Sequence, residues 1–217
     1  YYGYVADGYF QSQEEIDMAD CVYGGNKANI KPGYIRYVDV NHDGEINSKD
    51  RVILGNSTPR YEYSFTLGGQ WKGIDLSLFF QGVGKRDLYY SGAGARPLVQ
   101  NSTIFKSQLD TWSPENPDAE YPLLLVDAGS TNMNNIVSSF WIKSGAYLRL
   151  KNLTVGYTLP KKWTNRVSID NLRLYFTASN LFTINNGYKG YDPETGVTSG
   201  AMYPVMKTFN FGINLDF

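Results

Sequence analysis

The sequence's densest concentration of potential ligands is the run Asp39-Val40-Asn41-His42-Asp43-Gly44-Glu45-Ile46-Asn47-Ser48-Lys49-Asp50. Oxygen-bearing side chains fall at positions 1, 3, 5, 9 and 12 of a twelve-residue loop. Gly44 stands at position 6, where the chain must turn sharply, and Ile46 at position 8, where an apolar anchor is needed. A calcium ion takes about six to eight hard oxygen ligands, and this spacing wraps them around one point. The expected ligands are the side chains of Asp39, Asn41, Asp43 and Asp50, the main-chain carbonyl of Glu45, and Asn47 through a water. Ca²⁺ is thus the one cofactor that the residues suggest, acting as a structural clip.

Position 12 is Asp50 rather than glutamate, which departs from the EF-hand pattern and resembles a dockerin-type loop; the shorter carboxylate should bind less tightly. Pro32 and Gly33 interrupt any long helix before the loop, which argues against a signalling hand. The competing reading is an Asx-rich turn that holds no metal, because Asp, Asn and Gly also favour turns.

Other chemistry is thin. His42 is the only histidine and occupies a non-ligand position of the same loop, so no Ser/His/Asp or Cys/His triad can be assembled elsewhere. Asp192 and Glu194 could be drawn as a glycosidase pair, but neighbouring loop carboxylates are ordinarily just solvated. Gly82-Val83-Gly84-Lys85 lacks phosphate-loop spacing and reads as a turn. No catalytic residues are assigned and the chain is not expected to be an enzyme. Trp112, Tyr188 and Tyr191 are candidates for stacking on a substrate in an outer vestibule, although packing within ordered loops would use the same rings.

The elements that must carry these residues are strands. In Lys207 to Phe217, Phe209, Phe211, Ile213, Leu215 and Phe217 share one face, while Asn210, Gly212, Asn214 and Asp216 share the other. Tyr61 to Trp71 alternates in the same way, turns at Lys72-Gly73, and returns through Ile74, Leu76, Leu78 and Phe80 as a hairpin. Ala146 to Leu159 switches parity near Asn152, which predicts a bulge, and Asn171 to Phe182 supplies a further strand. Each is about ten residues long, enough to cross a bilayer when tilted. Connections alternate between short (Lys72-Gly73, Pro160 to Asp170) and long (before Tyr61, Val83 to Gly145, Thr183 to Lys207), as in a barrel with short inner turns and long outer loops. Within the longest, Thr103 to Trp112 is expected to form a short helix that Ser113-Pro114-Glu115-Asn116-Pro117 ends.

Composition agrees. With 20 basic and 21 acidic residues the net charge is -1, which argues against a nucleic-acid partner. No stretch approaches the roughly 18 apolar residues of a spanning helix, so a membrane role must use strands. Cys21 is alone, so no internal disulfide forms. The first residue is Tyr1, without the charged and apolar regions of a signal peptide, so export requires residues upstream.

Several runs together resemble the C-terminal region of the SusC/RagA family of TonB-dependent outer-membrane transporters. They are Gly8 to Ile16, Gly33 to Gly44, Gly73 to Gly82, Trp112 to Pro117, Tyr147 to Tyr157, Ser179 to Thr183 and Gly190 to Glu194, in order along nearly the whole chain. The resemblance implies an all-β fold, the last strands of an antiparallel transmembrane β-barrel of about 22 strands. Residues 1–60 would be an extracellular loop segment bearing the calcium-type loop (39–50), and residues 61–217 the barrel strands and outer loops. It further implies an integral outer-membrane location and import of oligosaccharides or peptides under a SusD-like surface lipoprotein. Power would come from TonB through an N-terminal part that lies outside this sequence. The run Asn210 to Phe217 resembles a barrel-assembly sorting signal. Five strands cannot close a barrel and open edges are costly in lipid, so the chain is expected to pair with the remainder of the same barrel. The alternative from another class is a soluble extracellular β-sandwich binding protein with a dockerin-like calcium module, which predicts that the apolar strand faces are buried against a second sheet.

Overall fold

The computed structural model describes the chain apart from residues 99–101, 126–132, 165–168, 186, 188–190, 196–202 and 204. Its elements run β1 (Tyr2–Gly3), β2 (Ala6–Tyr9), α1 (Gln13–Met18), β3 (Ile35–Tyr37), β4 (Val52–Ile53), β5 (Tyr61–Trp71), β6 (Ile74–Gly84), β7 (Asp87–Tyr89), β8 (Ile142–Ser144), β9 (Tyr147–Thr158), α2 (Lys161–Thr164), β10 (Asn171–Asn185) and β11 (Thr208–Asp216). Five long strands make one antiparallel sheet in the order β11-β10-β9-β6-β5. Among the described residues no helix is long and apolar enough to cross a membrane.

Period-2 patterning builds this sheet, because residues directly opposite one another in an antiparallel ladder share a face. Phe65 pairs with Phe80, Leu67 with Leu78, Leu76 with Val155, Val155 with Phe176, and Phe176 with Phe211. The result is one apolar face across all five strands. Nothing described covers it: Phe211 is 84% exposed and Ile213 61%. A water-soluble sandwich would bury such a face, since each large side chain left in water forgoes roughly 1.5–3 kcal/mol. Tyr61 and Tyr63 at one end and Trp71, Tyr157 and Trp163 at the other leave aromatic rings at both rims of the band, as at the two interfaces of a membrane barrel.

The opposite face is polar: Glu62, Ser64, Thr66 and Gln70 on β5, Asp75, Ser77 and Gln81 on β6, Asn152 and Thr154 on β9, Arg173, Thr177 and Ser179 on β10, and Asn210 and Asn214 on β11. Arg173 reaches across β9 to Asp75 in a two-pronged pair at 2.9 and 2.6 Å. Gly156 lies between them, and a Cβ there would stand 2.4 Å from the Asp75 carboxylate. The absent side chain makes room for the pair.

Turn chemistry fixes the register. Lys72 and Gly73 both have positive φ, 48° and 86°, the geometry of the tight turn whose twist matches a two-residue hairpin. The predicted irregularity in β9 is present: Phe79 pairs with Asn152 but Phe80 with Leu150, so Lys151 is an extra residue, with a matching shift in β10 between Ser179 and Phe182. Asn180 there takes φ 54°. The extra residue moves the apolar parity of β9 from Leu148 and Leu150 to Leu153 and Val155.

The described residues of the long connections gather into a body at one end of the sheet. Tyr4, Tyr9, Ile35, Tyr37, Ile46, Trp112 and Ala119 make a shared core, so residues 1–60 pack with a loop that follows β6. A second cluster gathers Leu88, Tyr90, Ala95, Tyr121 and Trp141. The helix expected over Thr103 to Trp112 shrinks to a 3-10 turn at Lys106–Gln108. Gln108 is fully buried and donates to the carbonyls of Ala93 and Gly94, while Thr111 bridges to Tyr121. Tertiary partners thus outbid local helix propensity.

Candidate functional site

The Asp39–Asp50 loop closes on itself. The Asp39 carboxylate accepts from the N–H groups of His42 (2.7 Å) and Gly44 (2.8 Å). Asn41 accepts from the Asp43 N–H, and Asp43 from the Glu45 N–H. Gly44, at φ 84°, makes the sharp turn, and Ile46 is buried in the core beside Trp112. Asp50 is wholly buried and accepts from Val40, Asn41 and Asn47 N–H groups. Burial would raise its pKa, but these bonds outweigh it and hold the carboxyl below the usual range. The donors are of the right type for a hard cation, and each carboxylate oxygen can serve a second partner. Yet the side chains of Asp39, Asp43 and Asp50 turn to N–H groups, and Lys49 and Asn41 already contact Asp43. Among the described residues no three carboxylate, His or Cys side chains converge as metal ligands do.

The substrate-stacking candidates fare differently. Trp112 is 5% exposed and its indole N–H donates to Gln11; it is a core residue and offers no face to cargo, because the body formed with residues 1–60 needs its bulk. Tyr191 is half-buried and packs edge-on against Tyr90 with centroids 5.0 Å apart. Burial, then the neighbouring Tyr90, push its pKa up to about 12. It too serves packing. Tyr188 lies outside the described residues.

Asp192 and Glu194 are not free loop carboxylates. Arg149, on the inner face of β9 with a side chain 3% exposed, grips both oxygens of Asp192 at 2.7 and 2.6 Å, pairs with Glu194, and donates to Thr183 at 2.7 Å. Lys151 holds the two Glu194 oxygens at 2.6 and 2.9 Å. Two cations meet two anions, and the loop is pinned to the wall with its charge balanced. Sequence reasoning missed this network. The signal was present: two cations spaced by two in a strand and two anions spaced by two in a loop.

No protein-family model matches the chain. It is 31% identical over 236 residues to TonB-dependent receptor P3 of Formosa agariphila, a match that takes in all of this chain and 22% of that protein. It is 28% identical over 218 residues to TonB-dependent receptor SusC of Bacteroides thetaiotaomicron, covering 99% of this chain and 20% of that one. The fold superposes on the RagAB peptide transporter with a TM-score of 0.68 at 22% identity, over 100% of this chain and 23% of that chain. The chain spans about a fifth of the length of these relatives. Its antiparallel sheet superposes on part of RagAB, and the relatives are by name receptors and a transporter. The chain belongs to the SusC/RagA family of TonB-dependent outer-membrane transporters and is a C-terminal stretch of their barrel wall and outer loops.

Proposed function

We propose that this chain supplies part of the barrel wall and outer loops of a TonB-dependent importer that takes up oligosaccharides or peptides with a SusD-like surface lipoprotein. The observation that carries the reading is the unbroken apolar face from Phe65 to Phe211 backed by a polar inner face, which suits lipid outside and an aqueous lumen inside. The solved relative RagAB acts as a pair, which supports a lipoprotein lid here. Fractionation of the full-length protein provides the test: it should follow outer membranes and migrate as a heat-modifiable barrel, and recovery from the soluble periplasm would refute the proposal. The sandwich alternative loses its support, since no described element covers Phe209, Phe211 or Ile213.

The reading includes Ca²⁺ as a clip in the outer body, with Asp39, Asn41, Asp43 and Asp50 as side-chain ligands and Glu45 through its carbonyl. Beyond the spacing, the Asp39 and Asp50 carboxylates both turn into the same loop, each accepting from its N–H groups, and carboxylate oxygens keep lone pairs for a hard cation. At calcium a hundredfold above Kd the body should gain about 2.7 kcal/mol. Trp112 packs with Ile46, so its fluorescence should report that gain in thermal unfolding with calcium against chelator. Identical curves for the native protein in both conditions would remove calcium from the scheme.

A further inference from the structure

On the apolar face, toward the short-turn end of the sheet, lies a groove of about 510 Å³, the size of a small-molecule site. Register places its walls. Val155, Phe176 and Phe211 stand in one row across β9, β10 and β11, and Tyr157, Leu174 and Ile213 in the next row toward the turns. The floor is the main chain of Gly156, Tyr175 and Gly212, whose parity belongs to the lumen side. There the Tyr175 ring lies over Gly212, and a Cβ on that glycine would stand 2.2 Å from it. Two of the three walls, β9 and β10, are strands paired on both sides. A neighbour added at the free edge of β11 would bond to its main chain in the plane of the sheet and leave the groove open.

The lining admits hydrocarbon. It holds no charged side chain, and the one polar group on its own face is the Tyr157 phenol, at the end nearest the turns. At that end the chemistry changes. Tyr157 pairs with Ile74 and Ile74 with Trp71, which carries the same row to the Lys72-Gly73 turn. The Lys72 ammonium stands 4.6 Å from the centre of the Trp71 ring, so it is held at the face that bears the groove. Neighbouring strands lie about 4.8 Å apart, which puts Trp71 about 10 Å from Tyr157. Past the end of β9, the turn into β10 carries Lys161 and Lys162, both exposed, and Trp163, 63% exposed. None of the three lysines makes an ion pair among the described residues. The acidic side chains described at this end are Asp75, Asp170 and Asp216. Asp75 is spent on Arg173, and Asp216 has lumen parity and accepts from Asn171, which leaves Asp170 against three cations.

An apolar slot that ends in tryptophans and then lysines repeats the order of a phospholipid: acyl chain, interface, phosphate. Short turns lie on the periplasmic side of an outer-membrane barrel. We propose that the groove and its rim hold one anionic phospholipid of the inner leaflet, with an acyl chain along Val155, Leu174 and Phe176 and its phosphate at Lys161, Lys162 and Lys72. The proposal rests on the importer reading and goes beyond it: bulk lipid wets the whole apolar band, whereas this site selects a headgroup.

The test uses the full-length receptor in neutral detergent, with phosphatidylglycerol, phosphatidylcholine or lipid A added at equal concentration and the retained lipid counted by native mass spectrometry. Each lysine beside an anionic headgroup contributes about fivefold, so phosphatidylglycerol should be retained at least about fivefold over phosphatidylcholine. Lys161→Gln with Lys162→Gln should bring the two lipids to near parity, and Leu174→Trp, which fills the groove with another apolar side chain, should lower retention of both. Lys31→Gln, exposed in the outer body, should change nothing. The lysine pair lies on an exposed turn, so that variant reports on binding even if Leu174→Trp disturbs folding. Equal retention of the two phospholipids in the native receptor, a preference indifferent to the lysine pair, preferred retention of lipid A, or no retained lipid overturns the site. A receptor that runs as a heat-modifiable outer-membrane barrel yet gives one of those results loses only the lipid site; one found in the soluble fraction loses the importer reading as well.

Discussion

Replacing Phe211 by arginine is expected to cost the assembled barrel about 2–4 kcal/mol, the penalty for a cation facing the middle of a bilayer. Phe211 lies mid-strand in β11, 84% exposed on the apolar face and tilted against Phe176 with ring centroids 5.0 Å apart. The neighbouring substitution Asn210→Arg is the control. Asn210 points to the polar side, where it lies near the Thr177 hydroxyl, and an arginine there meets water. Folding of the full-length protein into lipid vesicles, followed by heat-modifiable migration, should fail or weaken for Phe211→Arg and stay near native for Asn210→Arg. Equal tolerance of both would mean that the two faces do not see different solvents.

The second large effect is expected at Arg149. Arg149→Met keeps much of the side chain's volume but strands Asp192 and Glu194 beside the wall with Lys151 as their only remaining cation among the described residues. Breaking a buried network on one side costs about 3–5 kcal/mol when the partner charges stay buried. Asp192 and Glu194 are 21% and 29% exposed, so water screens part of that and the lower end, about 3 kcal/mol, is the expectation. Release of the loop should appear as new protease cleavage around residues 190–195 before any loss of the barrel itself. Adding Asp192→Asn and Glu194→Gln to Arg149→Met should restore part of the loss, because neutral partners need no counter-charge. If the triple variant is cleaved as readily as the single one, the charges are not what holds the loop.

The wall was legible because its signal is local and repeated. Every strand alternates over about ten residues, and a one-residue slip would turn each apolar side chain into the lumen. The Lys72-Gly73 turn and the parity switch beside Asn152 are properties of neighbouring residues, so they too could be read directly. The ligand-like spacing of Asp39 to Asp50 and the burial of Ile46 belong to the same class.

What only the tertiary structure decided depends on residues far apart in the chain. Trp112 looks like any loop aromatic until Ile46 and Ile35 close over it, a contact set by the folding of two long connections onto one another. The helix expected before it dissolves because Gln108 finds the carbonyls of Ala93 and Gly94. Asp192 and Glu194 become a pin because their loop lands on Arg149 and Lys151, which alternation puts on one side of β9. Alternation specifies which face a strand residue occupies; it carries no information about which loop lies against that face, since loop packing is set by long-range contacts with no period of their own.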